Sequence, residues 1–319
     1  MQQSDPTASG SAGGANAGAG PARFRAAAVD AGRSLDAVFS SIACAVLGAG
    51  RYSFSPDWRL APGTVEHNRL LVAVRGAADV RVAGAWYRLA PGDVLLVPPR
   101  TSHEARNDPQ SPLTAYVVDF EARLHGVLDV AAFCGLPVAM TPGPIRRTKI
   151  AASAESIVRH LTSLIPGYQL ALHTHCVRLL DLLWKETLAQ AVAGAPAGAP
   201  AGARAVDLVR FRPAFRLVEA RYAEHLSLDQ LADAVHLHPA YFSTLFKRVT
   251  GLSPLRFLVR YRVERARDLL LASDEPLGEI ARRTGFYDAA HLIRVFRRVE
   301  GVAPGSYRRD RPERVAAGI

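Results

Sequence analysis

The sequence predicts an α+β protein with two domains: an N-terminal β-barrel with two trailing helices, and a C-terminal domain that is all α. Three observations predict it. A stretch of Ala, Gly and Pro at 193–204 divides the chain, short β-rich runs separated by turn residues come before it, and a duplicated helical unit follows it. A length of 319 residues is enough for two domains that each bury a core.

The composition is that of a globular protein, with 49% hydrophobic and 21% charged residues. No apolar run approaches the roughly 18–20 residues of a membrane helix, and the N-terminus lacks the basic and apolar regions of a signal peptide. We therefore expect a cytoplasmic protein with no membrane partner. The net charge is +10, and residues 205–319 carry +6 of it. A basic surplus of this size favours a polyanionic partner.

Composition also sets the expected boundaries. Residues 1–22 are rich in Gly, Ala, Ser and Pro, which predicts a disordered tail. Residues 193–204 have the same character and predict a flexible linker. The N-terminal domain is then 23–192, and the C-terminal domain is 205–319.

The N-terminal domain opens with short strands. Five runs have strand composition: Leu70–Val74, Asp79–Val82, Trp86–Leu89, Val94–Val97 and Leu113–Phe120. Turn pairs such as Ala83-Gly84 and Pro91-Gly92 separate them, and this spacing predicts a small barrel or sandwich. After about Ile145 the apolar residues recur at helical spacing, which predicts one helix ending before Pro166-Gly167 and a second over 168–190.

One face of the second helix is more apolar than a solvent-exposed helix should be. It consists of Leu172, Cys176, Leu179 and Leu183. Two explanations stay open: the face is a homodimer seam, with helices 153–190 supporting dimerisation, or it packs on the barrel of its own chain.

The C-terminal domain contains a duplication. The segment Phe246–Pro254 recurs as Phe296–Pro304, sharing Phe, Arg, Val, Gly and Pro at equivalent positions. Each copy has a short helix, a tight turn and a second helix, with Ser227 and Asp288 as expected N-caps. This is the helix-turn-helix pattern, whose second helix can enter a DNA major groove.

Specific motifs resemble the AraC/XylS family of transcription regulators. They are Leu228-Asp-Gln-Leu-Ala-Asp, Tyr241–Pro254, Arg262–Arg267, Ile280–Phe286 and Phe296–Pro304. The resemblance covers about 212–309 and implies a seven-helix tandem helix-turn-helix domain that binds double-stranded DNA, more often as an activator, with RNA polymerase as a candidate partner.

The resemblance also implies which residues meet DNA. The base-facing residues would be Ala240, Ser243 and Thr244 in the first unit and Ala290, His291 and Arg294 in the second. Charged neighbours on the same faces, Lys247, Arg248, Arg297 and Arg298, complete the expected contact surface.

The first unit departs from the family pattern. His236 stands where the family usually has glycine in the turn, and His238 replaces the usual Ser cap. Since Ala240 offers no hydrogen bond, sequence discrimination is expected to depend more on the second unit.

The barrel carries a further resemblance. Gly92, Pro98, Arg100, His103 and Asn107 are spaced as in the second cupin motif, with Arg100 replacing its second glycine. The first cupin motif should supply two histidines and a glutamate, but only one histidine, at 67, lies nearby. A catalytic metal needs three or four ligands.

We therefore expect a cupin-like barrel that has no metal or other cofactor and binds an unidentified small effector. The expected effector-binding residues are Tyr52, His67, Trp86 and His103. For His103, hydrogen bonding to its own loop is an equally good explanation.

Two other functions remain as alternatives. One is a metal-dependent cupin enzyme fused to a DNA-binding domain. The other is a DNA-repair sensor with a sacrificial thiol, which needs an activated cysteine cluster. Because Cys44, Cys134 and Cys176 have apolar neighbours and no metal-binding spacing, the sequence favours a DNA-binding regulator over an enzyme.

Overall fold

The computed structural model of the chain describes residues 41–192 and 201–309. Its N-terminal domain contains strands that we number in chain order: β1 Ile42–Ser53, β2 Arg59–Gly63, β3 Asn68–Arg75, β4 Ala78–Val82, β5 Ala85–Leu89, β6 Val94–Val97, β7 His103–Asn107, β8 Thr114–Leu124, β9 Leu128–Asp129 and β10 Ala139–Met140. One sheet has the order β1-β8-β3-β6-β10, with β9 beside β8, and the other has the order β2-β7-β4-β5.

Alternation along β3 explains how these sheets form two cores. Leu71 and Ala73 point into the barrel, where they meet residues of the second sheet such as Val80. Leu70 and Val72 point to the opposite side and pack beneath helices. Successive side chains of a strand point to opposite faces, so the near-continuous apolar run of β3 indicates a strand buried on both sides.

The N-terminal domain also has three helices: α1 Val130–Phe133 lies between β9 and β10, and α2 Pro144–Ser163 and α3 Tyr168–Val192 follow β10. The apolar face of α3 is buried within the single chain, with Leu172 2%, Leu179 3% and Leu183 1% exposed. These side chains share one core with Ile157 of α2 and the outer face of the first sheet. The homodimer seam proposed for this face is therefore wrong, because intrachain packing already covers it.

The C-terminal domain has seven described helices, as the family resemblance implied. They are α4 Ala201–Arg221, α5 Leu228–Asp233, α6 Pro239–Thr250, α7 Pro254–Ala272, α8 Leu277–Arg283, α9 Ala289–Glu300 and α10 Pro304–Arg309. We call α5 and α6 the first unit, and α8 and α9 the second unit.

The predicted linker is too long at its C-terminal end. Helix α4 begins at Ala201, four residues inside the predicted 193–204 segment. Alanine is the best helix former, so an Ala-rich segment next to an amphipathic sequence can join its helix. The rest of the linker and the tail at 1–22 lie outside the described residues.

Helix α7 links two separate cores. Phe257 and Tyr261 in its first half belong to the core of the first unit, which is continuous with the core between the barrel and α2–α3. Val263, Ala266 and Leu270 in its second half belong to a separate core under the second unit. The first unit is thus packed into the body of the protein, while the second has a core of its own.

Among the helices that the structure describes, none has both the length and the apolar character needed to cross a bilayer.

Candidate nucleic-acid interface and barrel pocket

The first unit begins with a complete capping box. The Ser227 hydroxyl accepts a hydrogen bond from the Gln230 backbone N–H at 3.2 Å, and the Gln230 side chain accepts one from the Ser227 N–H at 2.9 Å. Such reciprocal bonds satisfy donors that a helix start leaves free. The start of α5 is therefore fixed as the sequence predicted.

The turn of the first unit has a strained residue. His236 has φ +54°, in the left-handed region that non-glycine residues rarely adopt. His238, the N-cap residue of α6, makes no side-chain capping bond. Both departures of the sequence from the family pattern therefore have a structural counterpart in this turn.

The corresponding turn of the second unit has the residue that its backbone requires. Gly285 has φ +76°, and a Cβ there would lie 2.7 Å from the Ala223 carbonyl oxygen. Asp288 then caps α9, where its Oδ1 accepts a hydrogen bond from the His291 N–H at 2.6 Å. Helix α9 is thus better anchored at its start than helix α6.

Helices α6 and α9 present the predicted residues on the side away from their cores. Exposed positions are Ala240, Thr244, Lys247 and Arg248 on α6, and Ala290, Arg294, Arg297 and Arg298 on α9. Ser243 and His291 are half-buried. The opposite sides, with Phe242 and Phe246 on α6 and Leu292 and Phe296 on α9, are buried.

The two exposed faces differ in hydrogen-bonding capacity. The Thr244 hydroxyl donates to the Ala240 carbonyl of its own helix at 3.0 Å, so its single donor is already used. Within the described part of the chain, Arg294 and Arg297 make no side-chain hydrogen bond or ion pair. Their guanidinium donors are available for another molecule.

A shallow concavity on α9 contains a residue that the sequence did not single out. It is lined by Ala290, Ile293, Arg294, Arg297 and Arg298. Ile293 is 37% exposed, whereas helical periodicity alone makes an isoleucine between Leu292 and Val295 look like part of the core. Its spacing of three residues from Ala290 is the pattern that could have placed it on the exposed face.

The barrel encloses a pocket of about 240 Å³, which we call the barrel pocket. Its walls are mainly apolar and aromatic, and its polar side chains include Arg69, His103 and Asp119. Phe54 and Trp58 lie against one another in the wall, with ring centroids 4.2 Å apart. A small cavity with a few convergent polar groups is typical of a ligand site.

The charged groups of the barrel pocket form a tight pair. Arg69 donates two hydrogen bonds to Asp119, each of 2.8 Å, and His67 Nε2 lies 3.2 Å from Asp119 Oδ2. Burial opposes the charge on Asp119, but the bonds from Arg69 and the nearby His67 lower the pKa of Asp119 overall. The bond to Asp119 in turn raises the pKa of Arg69.

The structure places the four predicted effector residues differently. Tyr52 and His103 line the barrel pocket. His67 lies behind Asp119 and lines a different cavity. Trp86 does not line the pocket: it is 48% exposed on β5, with the Arg106 guanidinium 4.8 Å from its ring centroid.

The Trp86 prediction was wrong because of strand alternation, since β5 directs Leu89 inward and Trp86 outward. Arg69 and Asp119 were not predicted as pocket residues. They are direct partners on the adjacent strands β3 and β8, a pairing that becomes visible only when the strand register is known. His103 Nδ1 lies 3.4 Å from the Thr101 carbonyl, so this histidine contacts its own loop as well as the pocket.

A metal site and a reactive thiol each place requirements on the described residues. Within residues 41–192 and 201–309, no three His, Cys, Asp or Glu side chains are placed to hold a metal ion. The contact with Cys44 and burial raise the pKa of the Cys176 thiol, and burial raises the pKa of Cys134. A raised pKa disfavours the thiolate that a sacrificial-thiol sensor needs.

The barrel and the C-terminal domain are joined by ion pairs as well as by apolar packing. Arg123 donates to Glu264 at 2.9 Å, and His125 Nδ1 lies 2.6 Å from Glu219. The His125 ring also stacks on Phe215 at 4.4 Å. Burial raises the pKa of Glu264 despite its arginine partners. The contact between the two domains therefore consists of defined side-chain pairs.

A second cavity of about 200 Å³ lies beside these ion pairs, and we call it the interdomain cavity. Its lining includes His67 from the barrel and Arg260 and Glu300 from the C-terminal domain. Since His67 also approaches Asp119, a single side chain lies between the barrel pocket and the domain contact.

Comparison with known proteins gives matches to both domains. A family model described as a helix-turn-helix domain matches residues 231–310. A second model, described as an AraC-like ligand binding domain, matches residues 50–180.

Three relatives illustrate the range of similarity. The MmsAB operon regulatory protein of Pseudomonas aeruginosa is 26% identical over 269 residues, covering 81% of this chain and 80% of that protein. The regulatory protein PocR of Salmonella typhimurium is 36% identical over 101 residues, which are 32% of this chain and 33% of PocR. The transcriptional activator RhaS of Citrobacter koseri is 33% identical over 135 residues, 42% of this chain and 44% of RhaS. The chain therefore spans most of the first relative but less than half of the other two.

Proposed function

Because the chain belongs to the AraC family of transcription regulators, we propose that it binds a specific operator through α6 and α9 under the control of a small effector. The observation that carries this proposal is the pair of exposed faces on helices in equivalent positions of a duplicated unit. Their arginines and lysine lie where a recognition helix meets DNA, and the barrel pocket is a separate site for a ligand.

Within this interface, different residues do different work. In this proposal Arg294 donates two parallel hydrogen bonds to guanine O6 and N7, which discriminates between base pairs. Lys247, Arg248, Arg297 and Arg298 meet phosphates, which contribute affinity but no sequence information. In the first unit, shape complementarity to the major groove comes from Ala240, Ser243 and Thr244. In the second unit, His291 makes one further base contact.

The barrel pocket suits a small, largely apolar molecule that has one polar group. Aromatic walls such as Phe54 and Trp58 provide apolar contact, while Arg69, Asp119 and His103 orient the polar group. A ligand that competes for Arg69 or Asp119 changes the surroundings of His67, which reaches the domain contact. Binding then favours one arrangement of the two domains, because a ligand shifts an equilibrium whose states it binds differently.

We further propose that the protein acts in the cytoplasm as a homodimeric activator that contacts RNA polymerase. The name of RhaS as a transcriptional activator supports activation. A dimer fits two half-sites on DNA, and its contact surface is formed by residues other than the buried α3 face. The relatives of this chain are named as regulators or as an activator, which favours a regulatory function over that of a cupin enzyme.

Selection from random DNA tests the operator part of this proposal. The full chain is incubated with a library of random duplexes, bound DNA is amplified over several rounds, and the enriched sequences are aligned. We expect a site in which each half-site has two contact regions about one helical turn, roughly 34 Å, apart, one for each unit of a chain. Enrichment of no sequence would contradict sequence-specific binding.

Reporter measurements in cells test the effector part. Full-length His103→Ala should lose the response to growth conditions that activate the wild-type protein, while it still binds the selected operator in vitro. Trp86→Ala is the matched control, because Trp86 is exposed outside the pocket, and it should respond normally. A normal response of His103→Ala would show that the effector binds elsewhere.

A further inference from the structure

One apolar side chain interrupts the cationic face of the second recognition helix. Ile293 is 37% exposed and lies in the concavity formed with Ala290, Arg294 and Arg297. The neighbouring core residues Leu292 and Phe296 are each 0% exposed. Ile293 therefore lies outside the core under the second unit.

The spacing of these residues aligns them along the helix. Ala290, Ile293, Arg294 and Arg297 occupy positions i, i+3, i+4 and i+7, which fall on one face. A helix that inserts this face into a major groove places its apolar pair beside the guanidinium of Arg294. A single exposed apolar residue needs no explanation in general, but this one lies within the surface assigned to the bases.

The major groove offers an apolar side chain one specific partner. Among the four base pairs, thymine contributes the C5 methyl group, while the other groups at the groove edge are hydrogen-bond donors or acceptors. Burying one methyl or methylene group from water contributes about 0.8 kcal/mol. A methyl contact is therefore strong enough to alter the preference at one base pair.

We propose that Ile293, with Ala290 beside it, contacts the C5 methyl of a thymine adjacent to the base pair bound by Arg294. This inference rests on the proposed function, since it assumes that α9 enters the major groove. The equivalent position of the first unit is Ser243, which is half-buried and polar. The isoleucine contact therefore has no counterpart at the equivalent position of the first unit.

The test combines a protein change with the removal of one methyl group from DNA. Each thymine of the selected operator is replaced in turn by deoxyuridine, which pairs identically but lacks the methyl. Kd is then measured for the full-length wild-type chain and for Ile293→Ala. At one thymine we expect the wild-type protein to bind about fourfold more weakly after replacement, whereas Ile293→Ala should show no further loss there.

One control separates this contact from general effects. Val302→Ala truncates another exposed apolar side chain, 45% exposed and beyond the end of α9, and should keep the full deoxyuridine effect.

Three results would overturn the inference, and they are distinguishable. The methyl contact does not exist if no thymine replacement weakens operator binding by the wild-type protein. It does not exist either if, at every thymine, the losses of affinity caused by Ile293→Ala and by deoxyuridine add. In both cases the operator is still bound specifically. If the wild-type chain selects no operator at all, the proposed function fails and the inference fails with it.

Discussion

At the scale of single residues, two positions where the related motifs have glycine keep a left-handed backbone without it. His236 in the first turn has φ +54°, and Arg100 in the cupin-like motif has φ +58°. The related motifs have glycine at both positions, so the backbone conformation is retained while the residue has changed. A non-glycine residue in this region costs roughly 1–2 kcal/mol. The sequence predicted a weakened first turn, and the structure places the strain at His236.

This strain makes the two turns respond in opposite ways to substitution. His236→Gly should stabilise the protein by about 0.5–1 kcal/mol, because relief of the left-handed strain exceeds the entropic cost of glycine. Gly285→Ala should destabilise it, since the new Cβ would meet the Ala223 carbonyl at 2.7 Å. Urea unfolding of both variants gives the two free energies. A loss of stability in His236→Gly would mean that the imidazole makes a compensating contact.

Two cations on the recognition helices should behave differently in binding assays. Arg294→Ala should remove discrimination at one or two adjacent base pairs, because it deletes a bidentate base contact worth about 1–3 kcal/mol. Lys247→Ala should weaken binding to all sequences alike and reduce the salt slope by about one unit. Binding to single-base variants of the operator at several salt concentrations separates these effects. An even loss at every position in Arg294→Ala would make that residue a phosphate contact.

At the scale of elements, periodicity predicted most helices and strands but not their surroundings. The edge strand β1 was missed because Ile42–Ser53 is rich in small residues, and β7 because His103–Asn107 is mostly polar. Both β1 and β7 are held in the sheets by hydrogen bonds from their partner strands, and a single sequence does not specify those bonds. The predicted DNA-facing residues, by contrast, lie on the exposed sides of α6 and α9, because their positions follow from helical spacing alone.

The apolar face of α3 shows the limit of periodicity most clearly. Its spacing identifies a buried face but not the surface that covers it. Helix α2 and the outer face of the first sheet provide that surface within the chain. Leu179→Arg would therefore introduce a charge into a core, and its unfolding would give no information about assembly.

A smaller substitution measures this packing directly. Leu179 is 3% exposed, and Leu179→Ala should cost about 2–5 kcal/mol of unfolding free energy, as expected for a cavity in a core. Leu170→Ala on the same helix is the control, because Leu170 is 73% exposed and its truncation should change little. Chemical denaturation of both variants checks the difference. Equal effects would mean that α3 is less firmly packed than the structure indicates.

At the scale of the whole molecule, the contact between the domains combines ion pairs with apolar packing. The hydrogen bond from His125 lowers the pKa of Glu219 below its ordinary value of 4.5, against the opposing effect of burial. A carboxyl group whose pKa is lowered by folding stabilises the folded state at any pH above the pKa that the group has in the unfolded chain. This contribution disappears as the pH falls through the folded value.

The resulting pH dependence can be measured by substitution. Glu219→Gln should lower the thermal midpoint near pH 7, and its difference from the wild-type protein should shrink as the pH falls below about 4. Glu224→Gln is the matched control, because Glu224 pairs with Arg221 on the surface, and it should have little effect at any pH. A Glu219→Gln difference that stays constant down to pH 3 would exclude this carboxylate as the source.

The two cores joined by α7 also have an evolutionary consequence. Substitutions beneath the first unit would disturb the packing that this unit shares with the N-terminal domain. The second unit rests on separate packing around Val263, Ala266 and Leu270, so substitutions within it would leave that shared packing intact. Given the proposed function, we expect new target genes to be acquired mainly through changes in α9, while the response to the same effector is retained.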